Sequence, residues 1–292
     1  MRVQGVLCAV LVTSVFGSAA AIAQAPARPA GNFGGGALVA PPKDLFGPGN
    51  AVIGLRALSE RKLEIEATVR ARCAGGDIAA TATIAASGRF EADGTATQEP
   101  SPAVKITTRY ELAGRFASAS AADGTISATI ERSVEGRTTM CRSGKVEFGA
   151  RRPTGGMGST GAPKKARYFG TTSQRGVGPS RPIVLRVSGD GSRLTRVLFG
   201  ESVRCDDDRL SVGVEAPRTN IRIDARGRVN DRDRFTLTQG ETLVHVDDRF
   251  TAELGSRGAR GTFSLSDRTT DRASGRTIQR CSSGTVRWRA AR

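Results

Sequence analysis

Apolar and polar residues alternate one for one along much of this chain. The run Leu63-Glu64-Ile65-Glu66-Ala67-Thr68-Val69-Arg70 shows it most plainly, and Ile183 to Val187, Leu194 to Phe199, Ile221-Arg222-Ile223 and Val286-Arg287-Trp288-Arg289 repeat it. A period of two places one face in a core and the other in water, so these runs predict half-buried antiparallel strands. No stretch beyond the N-terminal leader sustains a helical stripe. Gly189-Asp190-Gly191, Ala122-Asp123-Gly124 and Arg226-Gly227 interrupt the runs where turns are expected.

The strand pattern occurs twice. Cys141-x-Ser143-Gly144-x-Val146-x-Phe148-x-Ala150 is answered by Cys281-x-Ser283-Gly284-x-Val286-x-Trp288-x-Ala290 at identical offsets. Upstream, Gly136-Arg137-Thr138 pairs with Gly275-Arg276-Thr277, and Gly124-Thr125-Ile126-Ser127 with Gly261-Thr262-Phe263-Ser264. Arg115-Phe116 is set against Arg249-Phe250, Arg89-Phe90 against Arg234-Phe235, Arg72-Cys73 against Arg204-Cys205, and Phe33-Gly34 against Phe169-Gly170. The order is kept throughout, which indicates a tandem duplication. Short strands with frequent glycine turns predict an all-β chain of two tandem antiparallel β-sandwich domains, over 32–151 and 167–292, with a small barrel as the lesser alternative. A chain of 292 residues suffices for two such cores. An Ala/Pro-rich leader over 24–31 and a flexible, basic, Gly-rich linker over 152–166 fall outside the copies.

Residues 1–23 carry Arg2, an apolar stretch running from Val6 to Phe16, and small residues ending Ala21-Ile22-Ala23. This is the layout of a secretory signal peptide with cleavage between Ala23 and Gln24; an uncleaved anchor is the alternative, although charged flanks are lacking. Cys8 lies inside that segment, and Leu7 before it is not the small residue that lipidation needs. Export changes the reading of the other four cysteines. An even number in an oxidising compartment, without Cys-x-x-Cys spacing, points to disulfides rather than a metal site. Similar separations favour Cys73 with Cys141 and Cys205 with Cys281, one bond inside each copy; cross-copy pairing and free thiols are the alternatives.

The formal charge is +16, and it is unevenly placed. Residues 32–151 hold 15 basic and 13 acidic groups, whereas 152–292 hold 27 and 15. Basicity therefore belongs to the linker and second copy. Lys164, Lys165 and Arg167, then Arg222, Arg226 and Arg228, then Arg287, Arg289 and Arg292 are the candidate anion-binding residues, able to meet carboxylates or phosphates of an extracellular polymer. Against this stands the plainer role of arginine in keeping an exported protein soluble.

The start Tyr168-Phe169-Gly170-Thr171-Thr172-Ser173-Gln174 and the end Cys281 to Trp288 resemble secreted, arginine-rich tandem β-sandwich repeat proteins encoded widely in high-GC soil bacteria. The first copy departs from that pattern, with Asn32-Phe33-Gly34-Gly35-Gly36 at its start and Phe148 for the tryptophan. The resemblance implies a fold and export, and no activity.

Catalytic chemistry finds few footholds. His245 is the single histidine, in the alternating run Leu243-Val244-His245-Val246, and the first copy has no counterpart for a duplicated triad. Asp206-Asp207-Asp208 could supply oxygens to calcium, but the matching stretch Ala74-Gly75-Gly76-Asp77 reads as a turn, and no cofactor or metal is expected. Trp288 shares parity with Val286 and Ala290, which favours a core position beside Cys281 over a sugar platform; Tyr110 and Tyr168 are isolated platform candidates. The chain thus reads as a non-catalytic exported interaction module for the cell envelope or extracellular space, with anionic polymer as partner. A carboxylate-dependent, glycosidase-like hydrolase of extracellular polysaccharide is the alternative.

Overall fold

The computed structural model describes residues 29–38, 49–58, 61–101, 103–175, 178–207, 210–214 and 219–292. The expected signal peptide and its cleavage point lie outside them. No α-helix occurs among the described residues, and none is long and apolar enough to cross a membrane.

The first sheet holds β1 (Gly31–Ala37), β2 (Ala51–Ala57), β3 (Lys62–Arg70), β4 (Gly75–Thr83), β5 (Arg89–Ser101), β6 (Val104–Ser118), β7 (Ala121–Val134), β8 (Arg137–Arg142) and β9 (Val146–Arg151). The second holds β10 (Arg167–Arg175), β11 (Ser180–Val187), β12 (Arg193–Cys205), β13 (Leu210–Val214), β14 (Ile221–Arg222), β15 (Arg228–Gln239), β16 (Thr242–Leu254), β17 (Gly258–Asp271), β18 (Thr277–Ser282) and β19 (Val286–Ala291). Both are antiparallel with matching orders, β4-β3-β2-β1-β9-β7-β6-β5 and β13-β12-β11-β10-β19-β17-β16-β15. Each sheet folds over at its middle, so two wings face each other in a sandwich-like layer pair around an apolar core. Phe33 of one wing meets Phe116 of the other at 5.1 Å in the first copy, and Phe199 stacks on Phe263 at 4.1 Å in the second.

One disulfide ties the wings of each copy: Cys73, between β3 and β4, to Cys141 on β8, and Cys205 at the end of β12 to Cys281 on β18. In the second copy Cys205 and Cys281 are also ladder partners, so β18 hydrogen-bonds to both β12 and β17.

The two copies dock. Alternation predicts water on the outer faces of β10, β11 and β12, yet Phe169, Val184 and Leu198 are buried there against Val52 and Leu38 of the first copy. Polar groups frame this patch. Arg186 donates to the carbonyls of Ala37, at 3.0 Å, and Leu38; Arg196 donates to Asn50 Oδ1 at 2.8 Å; Arg181 pairs with Glu66 at 2.5 Å. Burial pushes the guanidinium groups of Arg186 and Arg196 down to about 10, since an apolar surround disfavours charge.

Registers correct several expectations. Gly35 lies opposite Ile53 and Ala150, and Gly170 opposite Ile183 and Ala290. Phe33 is therefore the counterpart of Tyr168, not of Phe169. Phe250 pairs with Phe263 as Leu112 pairs with Ile126, so Phe250 answers Leu112 rather than Phe116. Phe90 opposite Gly114 corresponds to Val229 opposite Ala252, not to Phe235. Ala122-Asp123-Gly124 lies within β7 and makes no turn, because Phe116 and Gly114 pair with it across the ladder. The segment expected to be a flexible linker is instead held along the second copy, where Gly161 N donates to Leu254 O and Ser256 N to Ser159 O.

Candidate anion-binding groove

Strands β15, β16, β17 and β19 alternate strictly at the folded-over wing of the second copy. Val229, Ala252, Phe263, Val286 and Trp288 point into the core, which sends Arg228, Arg260, Arg287 and Arg289 outward. The indole of Trp288 lies parallel to Phe250 at 5.6 Å and fills the space over Gly261. A Cβ at Gly261 would stand 1.9 Å from Thr251 O and 2.6 Å from the indole, so only glycine fits.

The outward side chains border an open groove of ≈ 1030 Å³. Thr171, Ser173, Thr251, Thr262 and Asn230 provide small polar surface, while Arg222, Arg228, Arg260, Arg287 and Arg289 supply the charge. Arg228 is engaged by Asp224 at 3.1 Å and Arg260 by Glu253 at 2.6 Å. Arg222, Arg287 and Arg289 meet no carboxylate among the described residues. The groove thus holds an excess of fixed positive charge, with guanidinium forks suited to planar anions.

Both carboxylates at the groove are engaged by arginines. The Arg228 backbone N–H, with the Arg226 N–H and the Arg228 side chain, holds Asp224 below the usual carboxylate range. A general acid needs the opposite shift.

Four of the nine sequence candidates therefore converge: Arg222, Arg228, Arg287 and Arg289. Arg226 sits in the adjoining turn with its N–H on Asp224. Arg292 lies at the β16–β17 turn, its backbone N–H on Arg257 O. Lys164 and Lys165 flank Gly189 and Gly191 in the β11–β12 turn, and Arg167 pairs in register with Arg186. Arg260 was not among the sequence candidates; its parity with Thr262 in Ala259-Arg260-Gly261-Thr262-Phe263 is the signal that marks it as outward.

The first copy has the same face with different chemistry. Ladder registers set Glu147 in the place of Arg287, Gly149 in that of Arg289 and Asp123 in that of Arg260, leaving only Arg89 for Arg228.

The other candidates occupy ordinary structural places. His245 bridges the hydroxyls of Thr236 and Thr270 at 3.1 and 3.3 Å on β16. Asp206 accepts from Arg280 N and Asp207 from Gln279 Nε2, and no cluster of metal-ligating groups occurs among the described residues. Trp288 is a core residue, but packs on Phe250 rather than beside Cys281, which belongs to a separate cluster with Val203 and Leu265. Tyr168 is fully buried with its hydroxyl on Gly255 O, and burial pushes its pKa up to about 12; Tyr110 is buried too, so neither offers a platform.

No protein-family model matches the chain, and no curated protein matches it significantly in sequence.

Proposed function

We propose that this chain is an exported, non-catalytic binding protein that holds an anionic polymer of the cell envelope or extracellular space through the groove of its second copy. One observation carries the reading: Arg222, Arg287 and Arg289 border an open groove without a carboxylate partner, whereas the first copy places Glu147 and Asp123 on the corresponding face. Were arginine only a solubilising residue, the excess would have no reason to gather on one face of one copy. Export is supported by the N-terminal leader pattern and by two disulfides, which persist in oxidising compartments.

The test is binding of the full chain to polygalacturonate, a linear carboxylate polymer, over a range of salt concentrations. Affinity is expected to fall steeply and log-linearly with salt, and by at least about tenfold on Arg287→Glu with Arg289→Glu. Affinity that ignores both salt and the reversal would refute the proposal.

A further inference from the structure

The groove is one end of a longer feature. On the outer face of the same wing, positions of outward parity form successive rows across the strands. Arg232 lies directly opposite Arg249, Arg234 opposite Asp247, and Arg268 opposite Arg280, with Arg204 paired to Ser282 at the far edge. Together with Arg228, Arg260, Arg287 and Arg289 this makes ten outward arginines on one face, against fewer carboxylates that reach it or its grooves, among them Asp206, Asp224, Asp247 and Glu253.

Like charges directly opposed on adjacent strands destabilise a sheet. Three such pairs stand here, Arg232 with Arg249, Arg268 with Arg280 and Arg260 with Arg289, and Asp247 alone serves Arg232, Arg234 and Arg249, at 2.5, 3.1 and 4.0 Å. The guanidinium groups of Arg268 and Arg280 form no ion pair among the described residues, the Arg280 backbone N–H alone reaching Asp206. A second open groove, of ≈ 930 Å³, lies at this end beside His245 and Ser282.

The first copy again supplies the contrast. Asp93 stands where Arg232 is, Glu111 where Arg249 is, and Glu131 where Arg268 is. With Asp123 and Glu147 already noted, five arginines of the second copy replace acids of the first. Two exchanges run the other way, Arg109 to Asp247 and Arg115 to Glu253, and the balance of reversals on this face marks it as a unit.

Building on the proposed anion binding, we infer that the whole face is a single track for a linear acidic polysaccharide lying lengthwise along β17, with contacts from Arg260 to Arg268. The eight steps between them span about 27 Å at strand rise. Between the arginines the outward positions are Asn230, Thr251, Thr262, Ser264, Ser266 and Ser282, small groups that donate to and accept from sugar hydroxyls. His245, held between the hydroxyls of Thr236 and Thr270, and Phe235 at the edge of the second groove are isolated rings, so the row of stacking platforms along the strands that single-stranded nucleic acid requires is missing.

Graded oligogalacturonates test this with the full chain. A dodecamer long enough for the track is expected to bind at least tenfold more weakly to Arg268→Ala/Arg280→Ala and to Arg287→Ala/Arg289→Ala. A trimer should lose affinity only in the second variant. If the dodecamer responds to the second variant alone, the track is refuted while the groove stands; if it responds to neither, both readings fall. Single-stranded DNA of equal charge binding more tightly than the dodecamer would overturn the polysaccharide assignment. All four side chains are exposed, and unchanged thermal unfolding of each variant excludes misfolding as the cause.

Discussion

A Cβ placed on Gly34 would lie 1.7 Å from the carbonyl oxygen of Gly170. The copies therefore touch backbone to backbone, and the apolar patch around Phe169 closes because nothing projects at that point. Gly34→Val is expected to separate the copies while leaving both cores and both disulfides intact. Small-angle scattering should show a larger radius of gyration; an unchanged radius would mean that docking does not depend on this contact.

Asn50 receives the buried guanidinium of Arg196 at 2.8 Å. Replacing it by alanine removes the acceptor and leaves a charge with desolvation uncompensated. Asn50→Ala should cost about 2 kcal/mol, within the range for orphaned buried donors, as read from urea unfolding. A loss below a few tenths would indicate that solvent reaches Arg196.

Each disulfide closes a long loop, of separation 68 in the first copy and 76 in the second. On the chain-entropy account, removing either by paired Cys→Ser substitution should cost about 4 kcal/mol. The two losses should be similar, since that account depends only weakly on loop length. Unequal losses in denaturant would show that native packing around the sulfurs, rather than the unfolded chain, sets the contribution.

Asp224 gives a pH dependence of definite sign. Its carboxylate is stabilised by N–H donors in the folded turn, so its folded pKa lies below the ordinary value of 3.8. The turn's contribution is complete above that value and is lost as pH falls through the lower, folded one. A carboxyl-carbon NMR titration should give a midpoint under 3.8, and Asp224→Ala should flatten the acid limb of the stability curve. A midpoint at or above 3.8 would contradict the hydrogen bonding described.

The cysteines and the Ser-Gly-x-Val endings expose the duplication because they mark fixed points of the ladder: Cys73 and Cys205 close equivalent wings, and Val146 and Val286 face the cores of their own copies. The Arg-Phe matches failed for a physical reason. Outward arginine next to inward phenylalanine satisfies any half-buried strand, so the dipeptide recurs in many registers. A slip of one residue turns every side chain to the other face, which is how Phe169 came to be set against Phe33 when it belongs to the interface. The buried outer faces of β11 and β12 were illegible for a related reason, since Val184 and Leu198 meet a partner on the other copy that no local period reveals. Of the site, Arg287 and Arg289 could be read from parity. The gathering of Arg222, Arg228 and Arg260 beside them needs the pairings of β15, β16 and β17.

Strands β12, β11, β10, β19, β17 and β18 form a closed circuit of hydrogen-bonded neighbours, joined where Cys205 meets Cys281. The face that carries the arginines is thus part of a hoop. Tension along β17 from a tethered strand-aligned ligand would load the flanking ladders in shear, many bonds at once, instead of peeling them one by one from a free border. A covalent stitch at the seam keeps the hoop from opening.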